Sequence, residues 1–458
     1  MGLAAGSSTF FIFVAAVFFL YWAAPTRLVR LGIILLANYF FCARFGLFYL
    51  ALIPACSTVD FLVGLGLMRF SNTHPRRGLI AVSVALNLGL LVGARHMGAV
   101  VNPKGWDWIF PLGLSFYTLQ ALTYTLDLYR RDAEGTDSLL AYLSAVSFFP
   151  TLQAGPITRV TDLIQQMAKR RPLERIEGGR ALFLIGLGVL KKALVADFLA
   201  ENLVNRVFDT PKLYSGAEVL VAVYAYSLQL YFDFSGYTDI ARGCAQLLGI
   251  RLPVNFDRPY LSANLTEFWR RWHLSFSNWL RDYLFFALPG GRTKIMPYLN
   301  LVITMVLGGL WHGITWSFAI WGLLHGSALA ATRAWWAWRG KPKQPVNQWR
   351  HALAVFGTYQ FVCLTWIFFR AGSVANALDI LGRIGSLSVG FENVTPLFAA
   401  ALALAAATFF VPKAWYSAAV ERFAASPFYV HAAALAMVAV TLRYLGGSGS
   451  APFVYSRF

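Results

Sequence analysis

Long stretches without a charged side chain are the feature that most limits how this chain can fold. Seven such stretches have 17 to 26 residues, and one has 38. They are Met1–Thr26, Gly78–Ala94, Trp108–Leu126, Ser138–Thr158, His351–Phe369, Asn393–Pro412, Phe423–Leu442 and the 38-residue Ile295–Thr332. Three more candidates carry one or a few charges: Leu31–Val59, Ala181–Ala200 and Glu218–Phe232. Because about 20 apolar residues span the hydrocarbon core as a helix, we expect roughly 11 to 13 membrane segments, some re-entrant or interfacial.

The composition excludes a soluble fold for a chain of this length. Of the 458 residues, 58% are hydrophobic and only 13% are charged, about half the ~25% typical of a soluble domain. The four cysteines lie in apolar runs without CxxC spacing, so they are interpreted as core residues rather than metal or disulfide sites. Hydrophobic segments run from end to end with no soluble domain between them. We predict an all-α polytopic membrane protein in which residues 1–458 form a single embedded domain.

The excess of positive charge indicates topology rather than a nucleic-acid partner. Lys and Arg number 39 against 21 Asp and Glu, which gives a net charge of +18. Basic cytoplasmic loops orient membrane proteins and contact anionic lipid headgroups, and this explains the excess without nucleic acid. The first charges, Arg27 and Arg30, follow the first apolar run, whereas a signal peptide has basic residues before it. We therefore expect the first loop in the cytoplasm and the N-terminus outside.

The run Ser138–Thr158 has the features of a broken segment. Pro150, Gly155 and Pro156 lie within seven residues, and a proline removes a backbone donor that a helix needs. Irregular backbone at membrane depth is tolerated only where protein or a water-filled cavity surrounds it. We predict a re-entrant element that lines a cavity; the alternative is a helix that ends near Phe149 and continues as a loop.

A polar segment with regularly spaced aromatic residues occupies positions 267–284. Its aromatic side chains are Trp269, Trp272, Phe276, Trp279 and Tyr283, at intervals of three, four, three and four residues. This spacing predicts a single helical stripe, and tryptophan at headgroup level is typical of an amphipathic helix at the membrane interface. In a structural interpretation, the arginines of such a helix simply reach out to the surface.

A functional interpretation of the same segment gives its arginines a ligand. Guanidinium groups match phosphate geometry, so Arg270, Arg271 and Arg281 are candidates to bind an anionic acyl donor such as coenzyme A from the cytoplasm. His273, at the border of the two faces, is not explained by the structural interpretation. The residues alone leave the two interpretations open.

His312 lies near the middle of the 38-residue uncharged run. An ionisable residue at membrane depth is a candidate functional residue, and the glycines around it allow a ligand or a backbone to approach closely. An imidazole accepts and returns protons near neutral pH, so we predict that His312 is catalytic, with Trp311 and Trp316 as walls of a pocket. The alternative is a histidine bonded to a neighbouring helix, which is our interpretation of His325. Neither HxxxH nor HxxE spacing supports a metal site.

Asp233 and Asp239 close another apolar run. Ser235 and Gly236, between them, form a turn signal. The sequence therefore favours a helix that ends here, followed by the N-cap of a new helix. The alternative is that one of the two carboxylates orients a catalytic group.

Taken in order, these motifs resemble those of a known family. They are Phe149-Pro150, Ala154-Gly155-Pro156-Ile157, Asp233-Phe234-Ser235-Gly236-Tyr237-Thr238-Asp239, Asn255-Phe256, Pro259-Tyr260, Phe268-Trp269-Arg270-Arg271-Trp272-His273-Leu274-Ser275, Trp279-Leu280-Arg281-Asp282-Tyr283 and Gly309-Leu310-Trp311-His312-Gly313. From about residue 110 to 330 the chain resembles the membrane-bound O-acyltransferase family. Within that family it is similar to the membrane subunits of bacterial polysaccharide O-acetylation, such as the alginate group, with the teichoic acid D-alanyl transferases as near relatives. The chain departs from the alginate group at Ala287-Leu288-Pro289-Gly290-Gly291, where we expect Pro-Leu-Gly-Gly, and in a shorter C-terminal part.

The resemblance implies a helical bundle around a central cavity open to both sides of a bacterial cytoplasmic membrane. The family's intramembrane histidine corresponds to His312, and its second histidine corresponds to His273. An acyl group, acetyl above all, would pass from a cytoplasmic thioester such as acetyl-CoA to an acceptor outside, with no tightly bound cofactor. His312 would act as a general base on a hydroxyl or carry the acyl group briefly, and His273 would transfer a proton or orient the donor.

Other residues receive supporting roles under the same resemblance. Asp233 and Asp239 would support the catalytic groups without contacting the substrate themselves. Trp272, Trp311 and Trp316 would line the path and keep water from the thioester.

The resemblance also implies partners outside the membrane, namely a serine-hydrolase-like protein that accepts the acyl group and a polysaccharide. The chain itself has no GxSxG nucleophile motif. Two alternatives stay open: D-alanyl transfer from a carrier protein, and a transporter or proton channel built from broken helices and a buried histidine.

Overall fold

The chain folds into helices throughout the part described by the computed structural model, which comprises residues 7–43, 47–101, 113–169, 171–290, 293, 295–340 and 347–445. The first helices are α1 (Ser8–Ala23), α2 (Arg27–Ala43), α3 (Leu47–Arg69), α4 (Thr73–Val101), α5 (Gly113–Arg130), α6 (Leu139–Val146), α7 (Phe149–Leu152), α8 (Val160–Ala168) and α9 (Arg175–Leu190). Two π-helical stretches, Lys191–Ala196 and Ala200–Val204, then alternate with α10 (Asp197–Leu199) and α11 (Asn205–Asp209).

The second half of the chain continues the same architecture. Its elements are α12 (Gly216–Leu247), α13 (Leu265–Trp269), α14 (Leu274–Trp279), the π-helix Leu280–Phe285, α15 (Met296–His312), α16 (Trp316–Arg339), α17 (Gln348–Arg370), α18 (Val374–Gly385), α19 (Pro396–Ala407), α20 (Lys413–Ala425) and α21 (Phe428–Leu445). Short 3₁₀ helices occupy Pro211–Leu213, Pro259–Leu261 and Thr408–Phe410. The predicted all-α class is confirmed.

Several helices have the length and composition needed to cross a membrane. Among the described residues these are Tyr49–Arg69, Thr73–Gly93 and Gln348–Arg370. A further candidate is the pair Pro396–Phe410 and Lys413–Ala425, which is bent by 94° at its break. These helices identify a multi-pass membrane protein. Many of the other helices are short or interrupted, so the expected number of crossings, roughly 11 to 13, stays a prediction.

The segment Ser138–Thr158 is interrupted, as predicted. It forms α6, the single turn α7 and then a non-helical stretch that leads into α8. Gly155 turns so tightly that a Cβ atom there would collide with the carbonyl oxygen of Pro150. Phe148 and Ala154 are fully buried, so protein surrounds the irregular backbone. Whether the segment is re-entrant stays a prediction.

Helix α12 contradicts the helix end predicted between Asp233 and Asp239. It runs without a break through this motif, for 32 residues in all. The glycine there serves close packing rather than a turn, because a Cβ atom on Gly236 would lie 2.7 Å from the carbonyl oxygen of Gly188 in α9. The helix instead begins at a capping box in which Ser215 and Glu218 bond each other's backbone N–H groups.

The 38-residue uncharged run forms two helices that pack side by side, α15 and α16. They approach closely at glycines: a Cβ atom on Gly309 would collide with the Phe318 carbonyl oxygen, and one on Gly322 with that of Met305. The connection between them, at Gly313–Thr315, follows His312 directly, so this histidine lies at a helix end rather than in mid-helix.

Two hydrophobic cores meet at α12. The first core combines residues of α1, α2, α3, α5, α6 and α8 with the C-terminal part of α12, which contributes Ile240 and Cys244. The second core combines the rest of α12 with α13 to α18 and contains most of the large aromatic side chains. One helix therefore forms a wall shared by both halves of the protein.

A cavity of about 1120 Å³ lies between α1, α9 and α21, with Lys192 and Asp197 in its wall. Neither His312 nor His273 contributes to the lining of this cavity. The central cavity open to both sides of the membrane therefore stays a prediction.

Candidate active site

His312 lies at the C-terminal end of α15, enclosed by aromatic rings. Its side chain is 5% exposed. The rings around it belong to Trp311, Phe369, Trp321, Phe276 and Phe318, with centroids 4.8, 5.0, 5.5, 5.6 and 6.1 Å from that of His312. Because these rings come from α14, α15, α16 and α17, four helices fix the plane of the imidazole.

His273 belongs to the same aromatic cluster. It is 1% exposed, and its ring centroid lies 4.6 Å from Phe234 of α12 and 5.0 Å from Phe276. Phe276 therefore contacts both histidines. Within the described residues, the Nε2 atom of His273 has no hydrogen-bond partner. The structure thus brings the two predicted histidines together around one shared phenylalanine.

A break between two helices places His273 in this position. The residue has a left-handed backbone (φ +43°) between α13 and α14, a conformation that costs energy for a side chain other than glycine. Asn255 stabilises the break: its carbonyl accepts from the Leu274 N–H and its Oδ1 atom accepts from the Ser275 N–H, both at 3.0 Å. The neighbouring Asp257 N–H donates to the Arg271 carbonyl at 2.9 Å. Sequence reasoning listed Asn255 within a motif but assigned it no role.

The single interfacial helix predicted for positions 267–284 is wrong. The segment forms α13, the break at His273, α14 and a π-helix. Trp272 is 2% exposed and stacks on Phe268 at 5.7 Å, and Phe276 is 1% exposed. The aromatic stripe therefore packs in the second core rather than at the membrane surface, because the bonds from Asn255 redirect the chain after one turn.

The two tryptophans that were predicted to line the pocket differ in burial. Trp311 is buried, and its indole N–H donates to the Ser115 carbonyl at 3.3 Å, which places α5 beside His312. Trp316 is 80% exposed at the start of α16, and its ring is absent from the aromatic contacts described around His312. A role for Trp316 as a wall of the path stays a prediction.

The predicted donor-binding arginines lie in different surroundings. Arg271 pairs with Glu267 at 2.5 Å, and Arg281 pairs with Asp282 at 2.7 Å while staying 56% exposed. Arg270 is exposed. Their role in binding a donor stays a prediction.

Asp233 and Asp239 bind lysines that sequence reasoning overlooked. Lys192 contacts Asp233 at 2.8 Å, and Lys191 contacts Asp239 at 2.6 Å. The signal was present in the sequence, since Lys191 and Lys192 interrupt an otherwise apolar run. A role for either carboxylate in orienting an imidazole stays a prediction. Among the described residues, no group of three or more His, Cys, Asp or Glu side chains could hold a metal ion.

Comparison with known proteins points to one family. Residues 102–374 match the model of the membrane-bound O-acyltransferase family. The chain is 35% identical to a probable alginate O-acetylase of Azotobacter vinelandii over 407 residues, which cover 85% of this chain and 79% of that protein. It is 32% identical to a peptidoglycan O-acetyltransferase of Helicobacter pylori, over 77% of this chain and 73% of that protein. It is 30% identical to a teichoic acid D-alanyltransferase of Bacillus subtilis, over 56% of this chain and 68% of that protein.

Proposed function

We propose that this chain, which belongs to the membrane-bound O-acyltransferase family and is an O-acyltransferase, transfers acetyl groups from a cytoplasmic thioester to an acceptor across the membrane for polysaccharide O-acetylation. The observation that carries the proposal is the pair of histidines, His312 and His273, enclosed around the shared ring of Phe276. Such a site excludes bulk water, which protects a thioester from hydrolysis.

In the proposed reaction, His312 acts as the general base. It takes the proton of the acceptor hydroxyl as the oxygen attacks the thioester carbonyl, so a C–O bond forms and the C–S bond breaks. The proton then returns from the imidazole to the departing thiolate, and the free thiol leaves. The same atoms are present before and after transfer, and no tightly bound cofactor is required. Acetyl-CoA or another acyl thioester enters as a substrate.

His273 assists this transfer in the proposal. Because its Nε2 atom has no hydrogen-bond partner among the described residues, it is positioned to exchange a proton with the leaving thiol or to orient the donor. Asn255 keeps His273 in place through the two bonds to the start of α14.

The acceptor in the proposal is outside the cytoplasm. The chain has no GxSxG nucleophile motif, so we propose that an extracytoplasmic serine-hydrolase-like partner receives the acetyl group and passes it to the polysaccharide. The protein would then lie in the cytoplasmic membrane of a bacterium. The length of the match favours acetyl over D-alanyl transfer, because the acetylase relatives align with much more of the chain than the D-alanyltransferases do.

A reconstitution experiment tests the proposal. The purified protein in proteoliposomes receives either radiolabelled acetyl-CoA or a D-alanyl carrier protein, with the acceptor partner on the opposite side. We expect free CoA on the donor side and labelled partner on the other, with acetyl-CoA as the preferred donor. A preference for the carrier protein would replace acetyl by D-alanyl transfer, and no transfer from any thioester would overturn the proposal.

A further inference from the structure

Tyr283 stands at the centre of a cluster of charged side chains, away from the two histidines. The guanidinium carbons of Arg130 and Arg159 lie over its ring, 5.4 and 5.8 Å from the centroid. Its hydroxyl donates to the Oδ1 atom of the fully buried Asp127 at 2.6 Å. Burial raises the pKa of the Tyr283 phenol, so the hydroxyl stays protonated and keeps donating. The cation–π contacts therefore hold two arginines at a fixed position.

The arginines of this cluster keep unused hydrogen-bond donors. The Arg159 side chain is 41% exposed and lies 3.7 Å from Asp127 and 3.5 Å from Asp282, too far for good hydrogen bonds, and its guanidinium makes no hydrogen bond within the described residues. Arg281 reaches the other oxygen of Asp282 through its Nε atom, which leaves the terminal N–H groups of a 56% exposed side chain. Two guanidinium groups thus flank one carboxylate, with donors left over for an oxyanion.

The cluster lies on the side that the positive-inside rule assigns to the cytoplasm. Arg130 ends α5, and this end packs against the turn between α3 and α4: the Arg76 guanidinium donates to the Leu128 and Tyr129 carbonyls, both at 2.8 Å. That turn joins two membrane-crossing candidates, and arginines lie on both sides of it, with Arg69 at the end of α3 and Arg76 and Arg77 near the start of α4, which is typical of the cytoplasmic side.

Two elements connect the cluster with the histidines. Phe116, beside His273 and Trp311, lies 14 residues before Arg130 on α5, or about 21 Å at 1.5 Å per residue. The second element runs from His273 through α14 to Tyr283, and Trp279 bonds it to the Leu119 carbonyl of α5 at 3.0 Å. A span of this length is comparable with an extended phosphopantetheine arm.

We propose that Arg159, which lies over the Tyr283 ring, and Arg281, which pairs with Asp282, bind the phosphate of a phosphopantetheine arm whose thioester reaches His312 and His273. This inference rests on the proposed function, because it places the donor of that reaction. It names a chemistry that coenzyme A and acyl carrier proteins share. It also moves the main phosphate contact away from Arg270 and Arg271, the second of which pairs with Glu267. The new contact is a cluster whose guanidinium groups keep N–H donors available.

Binding measurements on the full-length protein in nanodiscs test this inference separately from catalysis. The probes are 4′-phosphopantetheine, pantetheine without the phosphate, coenzyme A, and a carrier protein with and without its phosphopantetheine. Arg159→Ala should weaken 4′-phosphopantetheine and coenzyme A by a similar factor, roughly 10- to 100-fold, as expected for a lost charge-assisted hydrogen bond. Pantetheine should bind equally weakly to both proteins. The affinities for coenzyme A and for the carrier protein, compared with each other, decide which of the two is the natural donor.

Arg131→Ala is the matched control, because Arg131 is exposed at the same helix end and its guanidinium donates only to the Ser71 carbonyl, at 3.3 Å, among the described contacts. It should leave all affinities within about twofold, and Arg159→Lys, which keeps the charge, should fall between the wild type and Arg159→Ala.

Unchanged affinity in Arg159→Ala would overturn the inference, as would a loss confined to coenzyme A, which would move the contact to its nucleotide. If the wild type binds these probes but transfers no acyl group, the proposed function fails while the binding site stands.

Discussion

Two buried histidines of the same uncharged run, His312 and His325, both pack against aromatic rings but differ in their position within a helix. His325 lies within α16, is 0% exposed and uses both ring nitrogens: Nδ1 accepts from the Trp269 indole N–H at 3.3 Å, and Nε2 lies 2.9 Å from the Thr365 hydroxyl. Since the Thr365 hydroxyl donates to the Val362 carbonyl, it accepts from His325, and the tautomer of this imidazole is fixed. The structural role predicted for His325 is confirmed.

His312 lies at a different point of its helix. Aromatic rings from four helices contact it, and it occupies the last position of α15, where the helix gives way to a glycine turn. Trp321 packs against both imidazoles, with its ring centroid 5.5 Å from that of His312 and 5.0 Å from that of His325. The comparison teaches that burial and aromatic packing do not by themselves distinguish these two histidines, whereas their positions in the middle and at the end of a helix do.

Removing His312 should have the largest effect on activity of all the substitutions compared. His312→Ala should insert and fold but lower kcat for acyl transfer by about 10²- to 10⁴-fold, the contribution of a general base. The measurement is label transfer from acetyl-CoA in proteoliposomes, with thermal unfolding as the check on folding. A variant with wild-type kcat would remove His312 from the chemistry.

His273→Gln should have the next largest effect. We expect a loss in kcat of about 10²-fold, at the lower end of the range for proton transfer, because glutamine fills the space but cannot exchange a proton. A changed pH profile of kcat separates this role from a structural one. If only the melting temperature moves, His273 is part of the packing alone.

His325→Ala should act on stability instead. It leaves the Trp269 N–H and the Thr365 hydroxyl without their partner, which costs about 1–3 kcal/mol of unfolding free energy for each buried polar group. The folded fraction should keep its kcat. Denaturant unfolding and kinetics on the same preparation measure both quantities, and a kcat loss equal to that of His312→Ala would erase the distinction between the two residues.

Asn255→Ala should have the smallest effect, and it should lower both the unfolding free energy and kcat. Loss of the bond to the Ser275 N–H should cost about 0.5–2 kcal/mol, as for other helix caps. Since this bond also holds the break at His273, kcat should fall by less than in His273→Gln. Asn255→Asp, which keeps the acceptor oxygen, is the control and should restore both values.

The parts of this site that could be predicted depend on local composition. An uncharged run of 38 residues is long enough for the α15–α16 pair, and a histidine flanked by glycines and Trp311 stands out within it. The left-handed turn at His273 could not be predicted, because the aromatic spacing is that of one helix and the break depends on Asn255, about 20 residues earlier in the chain.

The continuity of α12 was also beyond sequence reasoning. Asp233, Ser235 and Gly236 read locally as a turn, yet Lys192 neutralises the carboxylate and the backbone of α9 fills the space beside the glycine. Both partners come from another helix, so no local pattern contains them. The same limit applies to the 80% exposure of Trp316, since the direction of a side chain at a helix start depends on the packing of that helix.

The ion pair between Lys191, in the π-helical stretch after α9, and Asp239 of α12 has a consequence for how the protein is made. Lys192 has a nearby partner in Asp197, five positions later, but Lys191 leaves the ribosome 48 positions before Asp239. A lysine at the centre of an isolated segment disfavours insertion by about 2.5–3.5 kcal/mol, so the segment that contains Lys191 is on its own a poor substrate for the translocon. We expect this segment to wait at the insertion machinery until α12 arrives, so that lysine and aspartate enter the lipid together.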